Sequence, residues 1–184
     1  MSRLRGIAIA LHRLGGDAAM LGLLYAAPYA GALVATLCSG WLNRVRRQGV
    51  GVMLSASAWG AAIVVFGFAE SLWPALVALA FAGAADMVSA VLRTVMVIDV
   101  TPDAMRGRVA GIEFMQVASA PALGDVEAGV LASATSVRFS VVSGGLACIA
   151  GSLVIALLLP ALLRYDASEA RAARRAREAA GAPT

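Results

Sequence analysis

Long apolar stretches alternate with short polar connections along the whole chain. A helix needs about 20 apolar residues to cross the hydrocarbon core of a membrane, and the pattern predicts five such helices. Because the connections are short, consecutive helices should run antiparallel. The predicted helices cover residues 18–42, 49–69, 73–98, 109–132 and 138–163. The pattern therefore predicts an all-α integral membrane bundle over residues 18–163, preceded by a segment 1–17 and followed by a tail 164–184.

The composition excludes most soluble classes of protein. Of the 184 residues, 60% are hydrophobic and 14% are charged, and the mean hydropathy is +0.82. A soluble domain is closer to half apolar and a quarter charged, so a soluble enzyme or a disordered tail is excluded. The net charge of +4 does not indicate nucleic-acid binding, because all fifteen basic residues are arginines, and all but Arg93 lie outside the predicted helices or at the first residue of one, mostly in clusters. Such clusters are typical of membrane-protein loops, so membrane lipids are the expected surroundings.

The arginines also predict an orientation. Ten of them lie on the side of the membrane that holds the C-terminal tail, and four lie on the other side. Loops rich in arginine stay in the cytoplasm, so the C-terminus should be cytoplasmic. Arg3, Arg5 and Arg13 then break the rule outside the membrane, and the apolar run Gly6–Leu11 is too short to span. We interpret residues 1–16 as the end of a helix whose first part is missing from a truncated chain.

The loop after the first predicted helix carries a recognisable arrangement of basic residues. It reads Gly40-Trp-Leu-Asn43-Arg44-Val-Arg46-Arg47. This string resembles the signature loop of the major facilitator superfamily, where a glycine is followed by an Asp-Arg pair and further basic residues. Asn43 stands where that motif carries Asp. In such a loop, arginines at one helix end bind carboxylates or carbonyl groups of a neighbour as a cytoplasmic latch.

A second loop, residues 100–109, has the signals of a helix start. Thr101 is a candidate N-cap, Pro102 suits the first helical position, and Asp103 suits the first turn. The string TPDAMRGRV also resembles the loop between helices ten and eleven in the enterobactin-exporter-like branch of the same superfamily. The segments 22–28, 86–93 and 123–129 agree with that branch, and the resemblance covers residues 7–163.

The resemblance implies the C-terminal half of a twelve-helix fold, from the end of helix seven through helix twelve. It implies a secondary transporter without cofactors in the bacterial inner membrane, exporting a small hydrophobic or siderophore-like molecule by proton coupling. The missing N-terminal six-helix half or a second copy would be its partner. The alternative is a non-transporting truncated fragment, or a scaffold or partner subunit. An enzyme is disfavoured, because His12 is the only histidine and no nucleophile or metal set can be assembled.

The ionisable residues within the predicted helices are the candidates for function. Each charge at the bilayer centre costs roughly 2.5–3.5 kcal/mol, so these side chains should face a cavity, an interface or one another. Asp86 and Arg93 are predicted to share a helix face about 10 Å apart, where they line a substrate or ion pathway or lock helices together. Asp125 and Glu127 should point to nearly opposite sides, and Glu127 is a candidate proton carrier.

A separate group of residues is assigned to the cytoplasmic latch. Glu113 is expected to pair there with Arg106 or Arg108. The two cysteines, Cys38 and Cys148, lack metal-ligand spacing and are expected to be small buried residues. The predicted latch comprises Gly40, Asn43, Arg44, Arg46, Arg47, Asp103, Arg106, Arg108 and Glu113.

Overall fold

A computed structural model describes residues 18–40, 45, 47–101, 105–160 and 163. The described chain forms five helices, in agreement with the predicted all-α fold. In chain order they are α1 (Ala18–Leu37), α2 (Gln48–Phe68), α3 (Leu72–Val100), α4 (Arg106–Ala134) and α5 (Val137–Leu158).

Two helices end earlier than the apolar pattern predicted, and both ends have a local cause. The first helix ends at Leu37 rather than at 42, and a short turn follows as far as Gly40. Glycine is a poor helix former, which favours an end there. The last helix ends at Leu158 rather than at 163, with Leu159 as its C-cap. Leu159 precedes Pro160, and a residue before proline is disfavoured in the helical conformation.

The predicted start of the fourth helix is wrong. Thr101 is the C-cap of α3 with an extended backbone (ψ 123°), and α4 begins at Arg106 after Met105. The extended conformation of Thr101 is the one that the following Pro102 imposes on its neighbour. The predicted positions of Pro102 and Asp103 lie outside the described residues. The fifth helix has the side-chain cap that the fourth lacks: the Phe139 N–H donates to the Ser136 hydroxyl at 3.2 Å.

Short connections make consecutive helices antiparallel and give the bundle two ends. The proximal end, as we name it, contains Ala18, the connection 69–71 and the connection 135–136. The distal end contains the ends of α1, α3 and α5 and the starts of α2 and α4. Helix α3 packs on both α1 and α2, and α5 packs on α2. Helix α4 lies at the edge of the bundle against α5.

Glycines allow the helices of this bundle to approach closely. At the α1–α3 crossing, a Cβ atom at Gly83 would overlap the carbonyl oxygen of Pro28. At the α2–α5 crossing, a Cβ atom at Gly60 would lie 2.7 Å from the carbonyl oxygen of Gly145. Other glycines have open space around them, among them Gly40, Gly144 and Gly151.

Four of the described helices are long and apolar enough to cross a membrane, namely α1, α2, α3 and α5. Helix α4 is longer than most of them, about 43 Å at 1.5 Å per residue, but it does not reach the same apolar content. Its ionisable side chains account for the difference: Arg106, Arg108, Glu113, Asp125 and Glu127. Four of the five predicted spans therefore meet the criterion, and the crossing of α4 stays a prediction.

Candidate functional site

The middle and distal parts of α3 carry two charges that the bundle leaves uncovered. Asp86 is the central residue of α3, and both it and Arg93 are exposed. The buried face of α3 is formed by other positions, mostly alanines, from Ala75 to Leu92. Asp86 and Arg93 are about 10 Å apart along the axis and lie at the edge of this buried face, since Arg93 follows Ala75 by five full helical turns.

Helix α4 is uncovered over most of its length. Every side chain described from Phe114 to Val130 is exposed, Pro121 being left aside. Half-buried side chains occur only near the two ends of α4, among them Glu113 and Leu131. The uncovered stretch is about 25 Å long, and it carries both Asp125 and Glu127.

One side-chain hydrogen bond joins α3 to α4 near the distal end. The Thr94 hydroxyl donates to the Glu113 carboxylate at 3.1 Å. Thr94 follows Arg93 directly in the chain, and the two side chains point about 100° apart around α3. The sequence did not indicate Thr94, because a threonine in an apolar helix also bonds its own backbone, as Thr36 does. Pairing of Glu113 with Arg106 or Arg108 stays a prediction.

A stripe along α4 connects these contacts with the uncovered part of the helix. Its residues recur at alternating intervals of four and three, which places them on one helix face. The stripe, called the α4 stripe below, comprises Val109, Glu113, Gln116, Ala120, Leu123, Glu127 and Val130. Val109 and Glu113 are half-buried at the distal end, whereas the stripe is exposed from Gln116 to Val130. Gln116 is a third polar residue of the α4 stripe, beside Glu113 and Glu127, and the sequence analysis did not identify it.

The two carboxylates of the proximal half of α4 do not share a face. Glu127 belongs to the α4 stripe, and Asp125 lies about 200° around the helix from it. Near Asp125, the Ser140 hydroxyl of α5 donates to the carbonyl oxygen of Ala128 at 3.0 Å. This hydrogen bond shows which side of α4 faces α5.

The described latch residues lie together at the distal end. Gly40 and Arg47 flank the connection between α1 and α2, and both are exposed. Arg106 is half-buried and Arg108 is exposed in the first turn of α4. The remaining predicted latch residues lie outside the described part of the chain: Asn43, Arg44, Arg46 and Asp103.

Gln48 is a buried polar residue within this region that sequence reasoning missed. Its side chain is 1% exposed, and its Oε1 atom has no donor among the described residues. It lies four residues before Val52, on the same face of α2. Val52 packs with Leu92 of α3 in a small hydrophobic core. A buried acceptor without a donor costs about 1–3 kcal/mol, so this amide needs a hydrogen-bond donor at the start of α2.

The remaining chemistry-bearing side chains do not form a second site among the described residues. No group of three or more His, Cys, Asp or Glu side chains there could hold a metal ion. Cys38 is exposed, so its predicted burial is wrong, because α1 ends just before it. Cys148 is half-buried, with its Sγ atom 3.5 Å from the carbonyl oxygen of Ala56.

Comparisons with known proteins identify what the chain is similar to. Residues 6–183 match the sequence model of the Major Facilitator Superfamily. The chain is 36% identical over 150 residues to the enterobactin exporter of Citrobacter koseri, covering 81% of this chain and 36% of the relative. It is 32% identical over 149 residues to the enterobactin exporter of Shigella flexneri, with the same coverage. No solved structure matches the chain.

These matches confirm the resemblance inferred from the loops. The chain spans 36% of the length of both curated relatives. Both relatives are named as exporters, which agrees with the expectation that the chain is not an enzyme.

Proposed function

The chain belongs to the Major Facilitator Superfamily, and we propose that its five helices form part of a secondary exporter driven by protons. The proposed cargo is a small hydrophobic or siderophore-like molecule. The proposed location is the bacterial cytoplasmic membrane, with the C-terminus in the cytoplasm. The names of the relatives support the class of cargo, and the distribution of arginines supports the orientation.

The observation that carries this proposal is the position of the exposed charges. Asp86 stands at the centre of α3, where lipid contact would cost roughly 2.5–3.5 kcal/mol. Arg93 shares its face, and Glu127 stands on the uncovered part of α4. Ionisable residues at this depth face a water-filled cavity or other protein, and they mark ion and substrate pathways in membrane proteins. Substrate sites of secondary transporters lie near the midplane, which is the level of Asp86.

Each charged residue has a proposed role in transport. Asp86 and Glu127 are carboxylates that bind and release the coupling proton as the path opens to one side or the other. Arg93, near the cytoplasmic end, attracts an anionic group of the cargo by charge. Glu113, Arg106 and Arg108 hold the distal ends of α3 and α4 together as part of the latch.

Transport by the chain, reconstituted in lipid vesicles together with an N-terminal six-helix half, tests the proposal. Vesicles with an imposed pH gradient should accumulate radiolabelled enterobactin, and collapse of the gradient with an ionophore should abolish accumulation. Asp86→Asn should remove the dependence on the pH gradient. Glu70→Gln is the matched control, because Glu70 is an exposed carboxylate in the connection between α2 and α3. Unchanged pH dependence in Asp86→Asn would remove Asp86 from the coupling role.

A second function is favoured by the exposure of α4. A helix left uncovered for about 25 Å suits a chain that acts as a scaffold or subunit beside another membrane protein. In that case vesicles containing the chain and the N-terminal half show no more uptake than empty vesicles, although both are folded and inserted. Such a result would support the non-transporting alternative.

A further inference from the structure

Two tyrosines near the middle of α1 are left uncovered by the described helices. Tyr25 and Tyr29 are 70% and 76% exposed, and their spacing of four residues places them on one face of the helix. Both lie within about 4 Å of the midpoint of α1 along its axis. Tyrosines that anchor a helix at the membrane surface lie near its ends, so an anchoring role does not fit this depth.

The contact of α1 with α3 shows toward which side the two tyrosines point. Helix α1 meets the backbone of α3 most closely at Pro28 and Gly31. Successive residues of a helix are about 100° apart, clockwise when the helix is viewed from its first residue. Viewed in this way from the proximal end, Tyr25 and Tyr29 lie about 90° and 130° clockwise from the middle of the contact.

The same geometry on α3 places Asp86 and Arg93. The contact of α3 with α1 is formed by Ala80 and Gly83, and the two helices run in the same direction. Viewed from the same end, Asp86 and Arg93 lie about 90° and 110° anticlockwise from the middle of this contact. Because the two contact surfaces face each other, a clockwise turn on α1 and an anticlockwise turn on α3 lead to the same side. The tyrosines and the two charges therefore share one side of the helix pair, called the polar side below.

The opposite side of this helix pair differs in chemistry. Large apolar side chains are exposed there, namely Leu23 and Val34 of α1 and Val77 and Phe81 of α3. Lipid suits that side, whereas hydroxyl groups and charges at mid-depth need polar partners that lipid tails do not offer. The polar side is thus the side on which a polar ligand can bind.

We propose that Tyr25 and Tyr29 bind a flat aromatic ring that carries hydroxyl groups. This inference rests on the proposed export of a small molecule, and it names the chemical class of that molecule. The tyrosine rings stack on the ring of the ligand, as aromatic side chains do with one another. A hydroxyl group of the bound ring donates a hydrogen bond to the carboxylate of Asp86, and such bonds to a charged acceptor are stronger than neutral ones.

The depths of these groups suit one ring between them. The closest contacts between α1 and α3 place Tyr29 at the level of the helix crossing. Asp86 lies about 7 Å beyond the crossing, toward the distal end. Aromatic rings interact at centroid separations of about 4.5–7 Å, so a ring stacked beside Tyr29 brings its hydroxyl groups toward the level of Asp86. Tyr25, one turn nearer to the proximal end, extends the aromatic surface.

Binding of catechol tests the proposal, because this probe is a flat aromatic ring with adjacent hydroxyl groups. The chain and an N-terminal six-helix half are placed together in lipid nanodiscs without a pH gradient, and binding is measured by saturation-transfer NMR against empty nanodiscs. Tyr25→Leu and Tyr29→Leu should each weaken binding about two- to tenfold, whereas Tyr29→Phe, which keeps the ring, should bind nearly as well as the wild type. Cyclohexanediol, which has the hydroxyl groups without the aromatic ring, should bind weakly and equally to the wild type and to Tyr29→Leu.

Phe81→Leu is the matched control, because Phe81 is an exposed aromatic side chain on the opposite side of the helix pair. Weaker binding in the tyrosine variants and not in the control supports the proposal. Equal weakening in the control, unchanged binding in the tyrosine variants, or no binding to the wild type overturns it. Binding needs no gradient, so tyrosine-dependent binding without uptake would contradict only the proposed function. Uptake of enterobactin that Tyr29→Leu leaves unchanged would contradict only this inference.

Discussion

Single residues decide how closely these helices pack. At the α1–α3 crossing, Gly83 leaves no room for a side chain against the carbonyl group of Pro28, and Gly31 meets the carbonyl group of Ala80 in the same way. Membrane helices associate mainly through such close contacts, because lipid is as apolar as the helix surfaces. The two glycines therefore hold α1 on α3, and through α3 they position Asp86.

Gly83→Ala should destabilise the bundle by about 1–3 kcal/mol, the usual cost of overpacking a close contact. The added methyl group meets the backbone of Pro28, which cannot move aside like a flexible side chain. Gly144→Ala is the matched control, because Gly144 has nothing within 4 Å. There the better helix propensity of alanine should leave stability unchanged or raise it by up to about 1 kcal/mol. Thermal unfolding in detergent measures both; equal effects would contradict the packing of α1 on α3.

The hydrogen bond between Thr94 and Glu113 should couple α3 to α4 weakly. Interhelical polar contacts in membranes contribute about 0.6 kcal/mol on average, so the double-mutant cycle of Thr94→Val and Glu113→Leu should give a coupling energy of that size. Thr36→Val replaces Thr94→Val in the control cycle, since the Thr36 hydroxyl donates to its own helix at Ala32. A coupling energy near zero in the Thr94 cycle would show that this contact does not join the helices.

Among the helices, α3 and α4 differ most in how much of their surface is packed against neighbouring helices. Helix α3 is flanked by α1 and α2 and has a continuous buried face, whereas α4 is held near its ends. Local opening is easiest where few buried contacts oppose it, so α4 is the element from which motion should start.

Hydrogen exchange should reveal this difference directly. Backbone amides of residues 114–130 should exchange faster than those of residues 75–92 in lipid nanodiscs, because few packing contacts oppose opening of α4. Helix α5 serves as an internal reference, since it packs on α2 and begins with the Ser136 cap. Equal protection of α3 and α4 in the isolated chain would contradict the uncovered position of α4.

The sequence predicted the helices better than their ends and contacts. Apolar stretches of about 20 residues have one stable form in a bilayer, so five helices followed from length alone. The start of α4 was misplaced because Thr101 satisfies both a cap preference and the restriction before Pro102, and the second prevails. Thr94 and Gln48 were missed because their roles depend on which helix lies opposite them. That Asp86 and Arg93 lie in the same direction around α3 followed from their spacing of seven residues, whereas their exposure depends on which helices lie beside α3.

At the scale of the whole molecule, arginines gather at the distal end of the bundle, and several charged side chains of α3 and α4 stay uncovered. The described arginines at the distal end, Arg47, Arg106 and Arg108, face the side that the positive-inside rule places in the cytoplasm. The described helices leave Asp86, Arg93 and the exposed part of the α4 stripe uncovered. A transporter needs such a polar surface to form a path with the rest of its fold.

The central claim is that all five helices cross the membrane, α4 included, with the tail in the cytoplasm. Reporter fusions after Gly40, Glu70, Met105, Thr135 and Thr184 test this most directly, with green fluorescent protein active inside and alkaline phosphatase active outside. We expect fluorescence after residues 40, 105 and 184, and phosphatase activity after residues 70 and 135. If residues 105 and 135 report the same side, α4 does not cross, and the polar path built on it is wrong.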